Sequence, residues 1–182
     1  QYPKDRFPDG HEDLAVALDG LGGALREVGR PDEGVKFIEE ALVIARAQYN
    51  EDRFPSGHHH LAACVHNLGN VYLSLGRIED AQARLAEALA MHERLYPKER
   101  FPDEHYEIAT TLGSIGAALD QAGEYARALP YFERALAMRR KLFPPVKYPN
   151  GHADLALGMN NLGYVLDAMG RPGEGVPLLQ SA

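Results

Sequence analysis

The sequence predicts an all-α fold, an α-solenoid assembled from antiparallel helix pairs. Three observations predict it. The chain is self-similar at a spacing of 47 residues, apolar residues inside each period step by three and four, and glycine or proline punctuates the periodic stretches. The self-similarity shows in short strings. Arg6-Phe7-Pro8 returns as Arg53-Phe54-Pro55, Arg100-Phe101-Pro102 and Lys147-Tyr148-Pro149, and Leu14-Ala15 as Leu61-Ala62, Ile108-Ala109 and Leu155-Ala156. The copies cover approximately 9–55, 56–102, 103–149 and 150–182, the last incomplete, in a single array over 1–182; residues 1–8 read as the tail of a preceding linker.

The first helix of each pair is carried by Leu14, Leu18, Leu21, Leu25 and Val28 in copy one and by Leu61, Val65, Leu68, Tyr72 and Leu75 in copy two. Ile108, Leu112, Ile115 and Leu119 repeat the pattern, then Leu155, Met159, Leu162, Leu166 and Met169. These helices start near the Gly-His pairs, where Asp9, Ser56, Asp103 and Asn150 are candidate caps and Asp13, Glu107 and Asp154 suit the positive end of the helix dipole. Gly29, Gly76, Gly123 and Gly170 follow as left-handed C-terminal stops.

The second helix starts directly afterwards, with Pro31 and Pro172 in its first turn, where a missing amide proton costs little. Its inner face holds Gly34, Ile38 and Ala41, then Ala81, Leu85 and Ala88, then Ala128, Phe132 and Ala135. Pro130 and Pro177 fall inside it and predict a bend without a break. The helix runs to about Tyr49, Tyr96 and Phe143. Proline then excludes its continuation, and an aromatic on either side of the connection, such as Tyr96 and Phe101, predicts a loop folded back on its own repeat.

Composition narrows the classes of function. A formal charge of −7 disfavours nucleic acid and anionic membrane surfaces, and Arg139-Arg140-Lys141, the nearest thing to a basic patch, fans around a helix and reads as a solvated end. No run is apolar enough to span a membrane and no signal peptide is visible, so the expected location is cytoplasmic. Cys64 aligns with Ala17, Thr111 and Gly158 and reads as a small packing residue. Consecutive helical residues point about 100° apart, so His58-His59-His60 reads as helix-start polar residues; no metal and no cofactor are expected. No nucleophile elbow or phosphate-binding loop is present, so the chain is not expected to be an enzyme.

The spacing Leu21-Gly22, Leu25, Gly34, Ile38, Ala41, and more closely Leu68-Gly69, Tyr72, Ala81, Leu85, Ala88, resembles the tetratricopeptide repeat. Close approach is its physical basis: Gly22, Gly69, Gly116 and Gly163 face Gly34, Ala81, Ala128 and Gly175 where the paired helices cross. The usual opening tryptophan is absent, and the usual period is 34 residues. The His-x-Asp-Leu-Ala opening at His11 and His152 is similar to the long-repeat type of kinesin light chains. The Tyr96 to Pro102 segment resembles bacterial arrays that often precede a CHAT domain.

The resemblance implies a right-handed superhelix whose concave face holds a protein or peptide. The family's groove positions fall on Asp19, Gly23 and Arg26; His66, Asn70 and Leu73; Gly113, Ala117 and Asp120; and Asn160, Tyr164 and Asp167. This set is mildly acidic and lacks a Lys/Asn carboxylate clamp, so it implies a basic or neutral polar partner. A regulatory arm of a larger enzyme such as a CHAT peptidase, and a passive spacer or oligomerisation array, are the alternatives. Uncapped ends predict exposed apolar residues around Leu162, Leu166 and Leu178 and some self-association.

Overall fold

A computed structural model describes residues 11–101 and 105–182. The Arg6-Phe7-Pro8 string, the candidate cap Asp9, Gly10, Pro102 and the candidate cap Asp103 lie outside them. Every regular element among the described residues is an α-helix, in the order α1 (Glu12–Glu27), α2 (Pro31–Gln48), α3 (His59–Ser74), α4 (Ile78–Leu95), α5 (Tyr106–Gln121), α6 (Tyr125–Leu142), α7 (Ala153–Ala168) and α8 (Pro172–Ser181). The odd-numbered helices all have 16 residues, and α2, α4 and α6 have 18. Contacts divide the chain into two compact units, one ending at Leu95 and the other starting at Tyr96, each made of two helix pairs.

Within a pair the helices run antiparallel at close range. Gly22 on α1 faces Gly34 and Ile38 on α2, while Leu25, further along α1, faces Gly34. A Cβ at Gly69 would sit 2.7 Å from Leu85 Cγ, one at Gly116 2.7 Å from Phe132 Cε1, and one at Gly163 2.8 Å from Leu179 Cγ. A side chain at these crossings would therefore push the second helix away. Ala81 and Ala128 complete the close approach and are fully buried.

In the first unit the core joins Ile38, Ala41, Leu42 and Ala45 of α2 to Leu61, Val65, Leu68 and Tyr72 of α3 and to Ala81 and Ala88 of α4. The second has Leu112, Ile115 and Leu119 of α5, Phe132, Leu136 and Met138 of α6, and Leu162, Val165 and Leu166 of α7. Pro130 and Pro177 lie within continuous helices. Gly29, Gly76, Gly123 and Gly170 have φ between 71° and 78°, the left-handed geometry that ends each first helix.

Two apolar expectations are corrected. Leu162 and Leu166 are 8% and 5% exposed, because α6 and α8 both pack on α7. Conversely, Leu21 and Val28 are 45% and 70% exposed, since α1 packs only on α2 and α3 among the described residues. The register is unchanged, but the neighbour that would cover it differs from copy to copy.

Candidate functional site

Each odd-numbered helix starts on a histidine. His11, His58, His105 and His152 have extended backbones, and each Nδ1 accepts the amide N–H two residues on, at 3.2, 3.3, 3.4 and 3.2 Å. Ser56 and Asn150 therefore do not cap these helices. Gly57 and Gly151, at φ +89° and +81°, turn the chain so that the following histidine reaches the cap position instead. A neutral imidazole nitrogen serves there as an aspartate oxygen would.

The same rings close an aromatic clasp. His58 stacks on Tyr49 at 3.7 Å, His105 on Tyr96 at 3.5 Å and His152 on Phe143 at 3.7 Å, while Phe54, Phe101 and Tyr148 meet both partners edge-on at 5.1–5.6 Å. The aromatic segment of each connection is thus folded back against the start of the helix pair that follows. Expected divergence of His58, His59 and His60 is also corrected: their ligand-capable atoms lie within 4.8 Å of one another. The N-cap backbone of His58 is extended, so its ring leaves the helical fan. His58 is engaged as cap and stacking partner, and His60 Nδ1 lies 3.4 Å from the Tyr49 hydroxyl.

In the first unit the mapped groove positions largely engage protein groups. Asp19 Oδ2 accepts from Asn67 Nδ2 at 2.8 Å, tying α1 to α3, and burial holds this carboxyl above its ordinary range against that hydrogen bond. Asn70 Nδ2 lies 2.8 Å from His66 Nε2. Burial, with His92 and Arg26 adding repulsion, pushes the His66 imidazole down to about 4. Arg26 pairs with Glu27 at 3.5 Å, and Leu73 packs against the core. Burial raises the Cys64 thiol to about 12, so it is a poor nucleophile at neutral pH. Asn67 was missed by sequence reasoning; it sits one residue beyond the mapped column at His66.

The second unit differs. Asn160, Tyr164 and Asp167 are exposed along α7, and Leu157 shares their stripe at spacings of three and four. Asp120 on α5 is half-buried, and desolvation raises its carboxyl. Arg139 overturns the solvated-end reading: it is 4% exposed, and its Nε and Nη1 are sealed from solvent without a hydrogen-bond acceptor. Burial lowers its guanidinium pKa, against the favourable but non-bonding fields of Asp154 and Tyr106.

Register explains how the arginine fits. Arg139 occupies in α6 the place of Ala45 in α2 and His92 in α4. Beside Ala45, residues including Asp19, Tyr49 and Cys64 line a cavity of about 60 Å³; His92 is buried. Beside Arg139 stand two glycines. A Cβ at Gly113 would lie 3.3 Å from Nη2, and one at Gly158 3.3 Å from Nη1. Sequence reasoning read Arg139 only beside Arg140 and Lys141; the 47-residue register that sets it against Ala45 and His92 was the signal that could have located the guanidinium.

Family models described as tetratricopeptide repeat match residues 13–94 and 108–150, together more than half of the sequence. The chain belongs to the tetratricopeptide-repeat family. Solved structures agree in fold. The crystal structure of nearly identical tetratricopeptide-like repeats of a kinesin light chain from Podosopora anserina superposes with a TM-score of 0.68 at 19% identity, over 93% of this chain and 74% of that one. BtubC (BKLC) from P. vanneervenii gives 0.72 at 25% identity, over 94% of this chain and 63% of that one. Aspartyl phosphate phosphatase F from Bacillus subtilis gives 0.61 at 18%, over 94% and 42%. No curated protein shows a significant match to the chain.

A tetratricopeptide array supports the general role of a protein-interaction scaffold, and such arrays are generally non-enzymatic. No helix among the described residues is long and apolar enough to cross a membrane.

Proposed function

We propose that each unit of this tetratricopeptide array binds an extended stretch of a protein partner along the faces of its odd-numbered helices, the first through Asp19, Arg26, His66, Asn70 and Leu73 and the second through Asp120, Asn160, Tyr164 and Asp167. The carrying observation is the α7 stripe. Leu157 and Tyr164 are 49% and 65% exposed and alternate with Asn160 and Asp167 on one helical face. Two large apolar side chains beside an amide and a carboxylate supply contact area, a backbone-bonding group and a charge. Asp167 favours a neutral polar or basic side chain opposite it.

The first unit contributes less free hydrogen-bonding capacity, since Asp19, His66 and Asn70 are already engaged. Selection of displayed random peptides on the 182-residue chain, followed by fluorescence anisotropy of the enriched sequences, tests the reading. The double variant Asn160→Ala/Tyr164→Ala is expected to weaken binding at least tenfold, on the order of 1.4 kcal/mol or more. Unchanged affinity in that variant would move the contact to the clasp loops and sink the proposal.

A further inference from the structure

Arg139 is a charged side chain only 4% exposed, and its Nε and Nη1 are sealed from solvent without a hydrogen-bond acceptor. An unpaired buried cation is costly, so a group that completed it would be held tightly. The surroundings are shaped for it. Gly113 and Gly158 lie inside helices, where glycine is unfavourable relative to alanine, yet a Cβ at either would crowd the guanidinium at 3.3 Å. The neighbouring acid makes no hydrogen bond to it: Asp154 reaches Arg139 only through its field.

Position matters as much as charge. Gly113 holds on α5 the register that Asn160 holds on α7, so the mapped face has no side chain of its own there, and Nη2 lies directly beneath it. We infer that Arg139 forms a carboxylate-binding subsite in the second unit, taking the side chain of an aspartate or glutamate from a bound protein segment. A planar fork of donors recognises a carboxylate better than any neutral acceptor. The absent Cβ atoms at Gly113 and Gly158 give the guanidinium its space, and over Gly113 no side chain stands between Nη2 and the mapped face. The inference rests on the peptide-binding reading of these helices and adds an acidic residue to a segment otherwise expected to be neutral or basic.

The test uses the full 182-residue chain with 15N-labelled arginine, the Arg139 Nε–Hε signal being assigned by its loss in Arg139→Gln. Titration with N-acetyl-glutamate N-methylamide is expected to shift that signal saturably, and the glutamine analogue to leave it in place. Equal shifts with both, or none with either, would overturn the subsite; an enclosed water satisfying the guanidinium would give the latter result.

A second arm uses randomised nonapeptide pools, N-acetylated and C-amidated, with glutamate or glutamine fixed at the centre. The wild type is expected to retain the glutamate pool at least tenfold better, and Arg139→Leu to retain both equally, its retention of the glutamine pool showing an intact fold. Capture without glutamate preference overturns the subsite and leaves the peptide-binding reading standing. No capture of either pool, with the signal shift intact, supports the subsite and removes that reading. A third pool, with central glutamine and a free C-terminus, is expected to be retained no better than the amidated glutamine pool; retention equal to that of the glutamate pool overturns the side-chain assignment.

Discussion

At the scale of single residues, the second unit encloses a guanidinium whose Nε and Nη1 have no acceptor. Replacing Arg139 with leucine removes an unpaired guanidinium and leaves an apolar side chain among Leu136 and the glycine backbones of α5 and α7. Thermal unfolding without ligand is expected to show Arg139→Leu more stable, by roughly 1–4 kcal/mol; a less stable variant would mean that the guanidinium is satisfied. Histidines set a second residue-scale property. The folded protein depresses His66 to about 4 by burial, and burial also lowers His58 and His105. The unfolded chain, with its histidines near about 6.5, therefore takes up protons first. Their contribution is complete above about pH 6.5 and drains away as pH falls toward the folded values. Asp19 and Asp120, with raised pKa values, act oppositely just above the ordinary carboxylate range. Denaturant titrations are expected to show stability falling from about pH 6.5 to about 5, with a shallower fall in His66→Gln.

At the scale of elements, the extra stretch beyond the usual 34-residue unit is a structural clasp. Phe101 meets Tyr96 at 5.4 Å and His105 at 5.6 Å, nearly perpendicular to both, so one ring fastens the start of the connection to the cap of α5. Phe101→Ala forfeits two edge-to-face pairs and is expected to cost about 1–3 kcal/mol in equilibrium unfolding. A neutral result would make the loop a passive tether. The sequence suggested a folded-back loop from Tyr96 and Phe101, and it placed histidine at each helix start. It could not show that the histidine both caps and stacks, because polar caps and aromatic packing are read from different residue types, and imidazole belongs to both. Helix starts, stops and crossings were legible because local backbone chemistry fixes them.

At the scale of the molecule, neighbours decide what a repeated position does. Leu68, Ile115 and Leu162 are 3%, 7% and 8% exposed, but Leu21 in the same register is 45% exposed. Val176 and Leu179 on α8 are also open, at 44% and 41%. Light scattering of the 182-residue chain is expected to show association rising toward millimolar concentration and suppressed in Val28→Ser/Leu179→Ser. A monomer at all concentrations would contradict this. The exposed end was misassigned to Leu162 and Leu166 because sequence spacing marks an apolar face without showing what covers it.

The sequence by itself determined the helix pairs, their glycine stops and the close crossings at Gly22, Gly69, Gly116 and Gly163. These follow from interactions between residues close along the chain and from a repeat that applies the same local rule in every copy. Tertiary structure alone decided that Arg139 is enclosed between Gly113 and Gly158, that Asn67 holds Asp19, and that α6 and α8 cover Leu162 and Leu166. Each of these outcomes depends on the volume and charge of residues from different helices meeting at one point, and a linear period does not encode that sum.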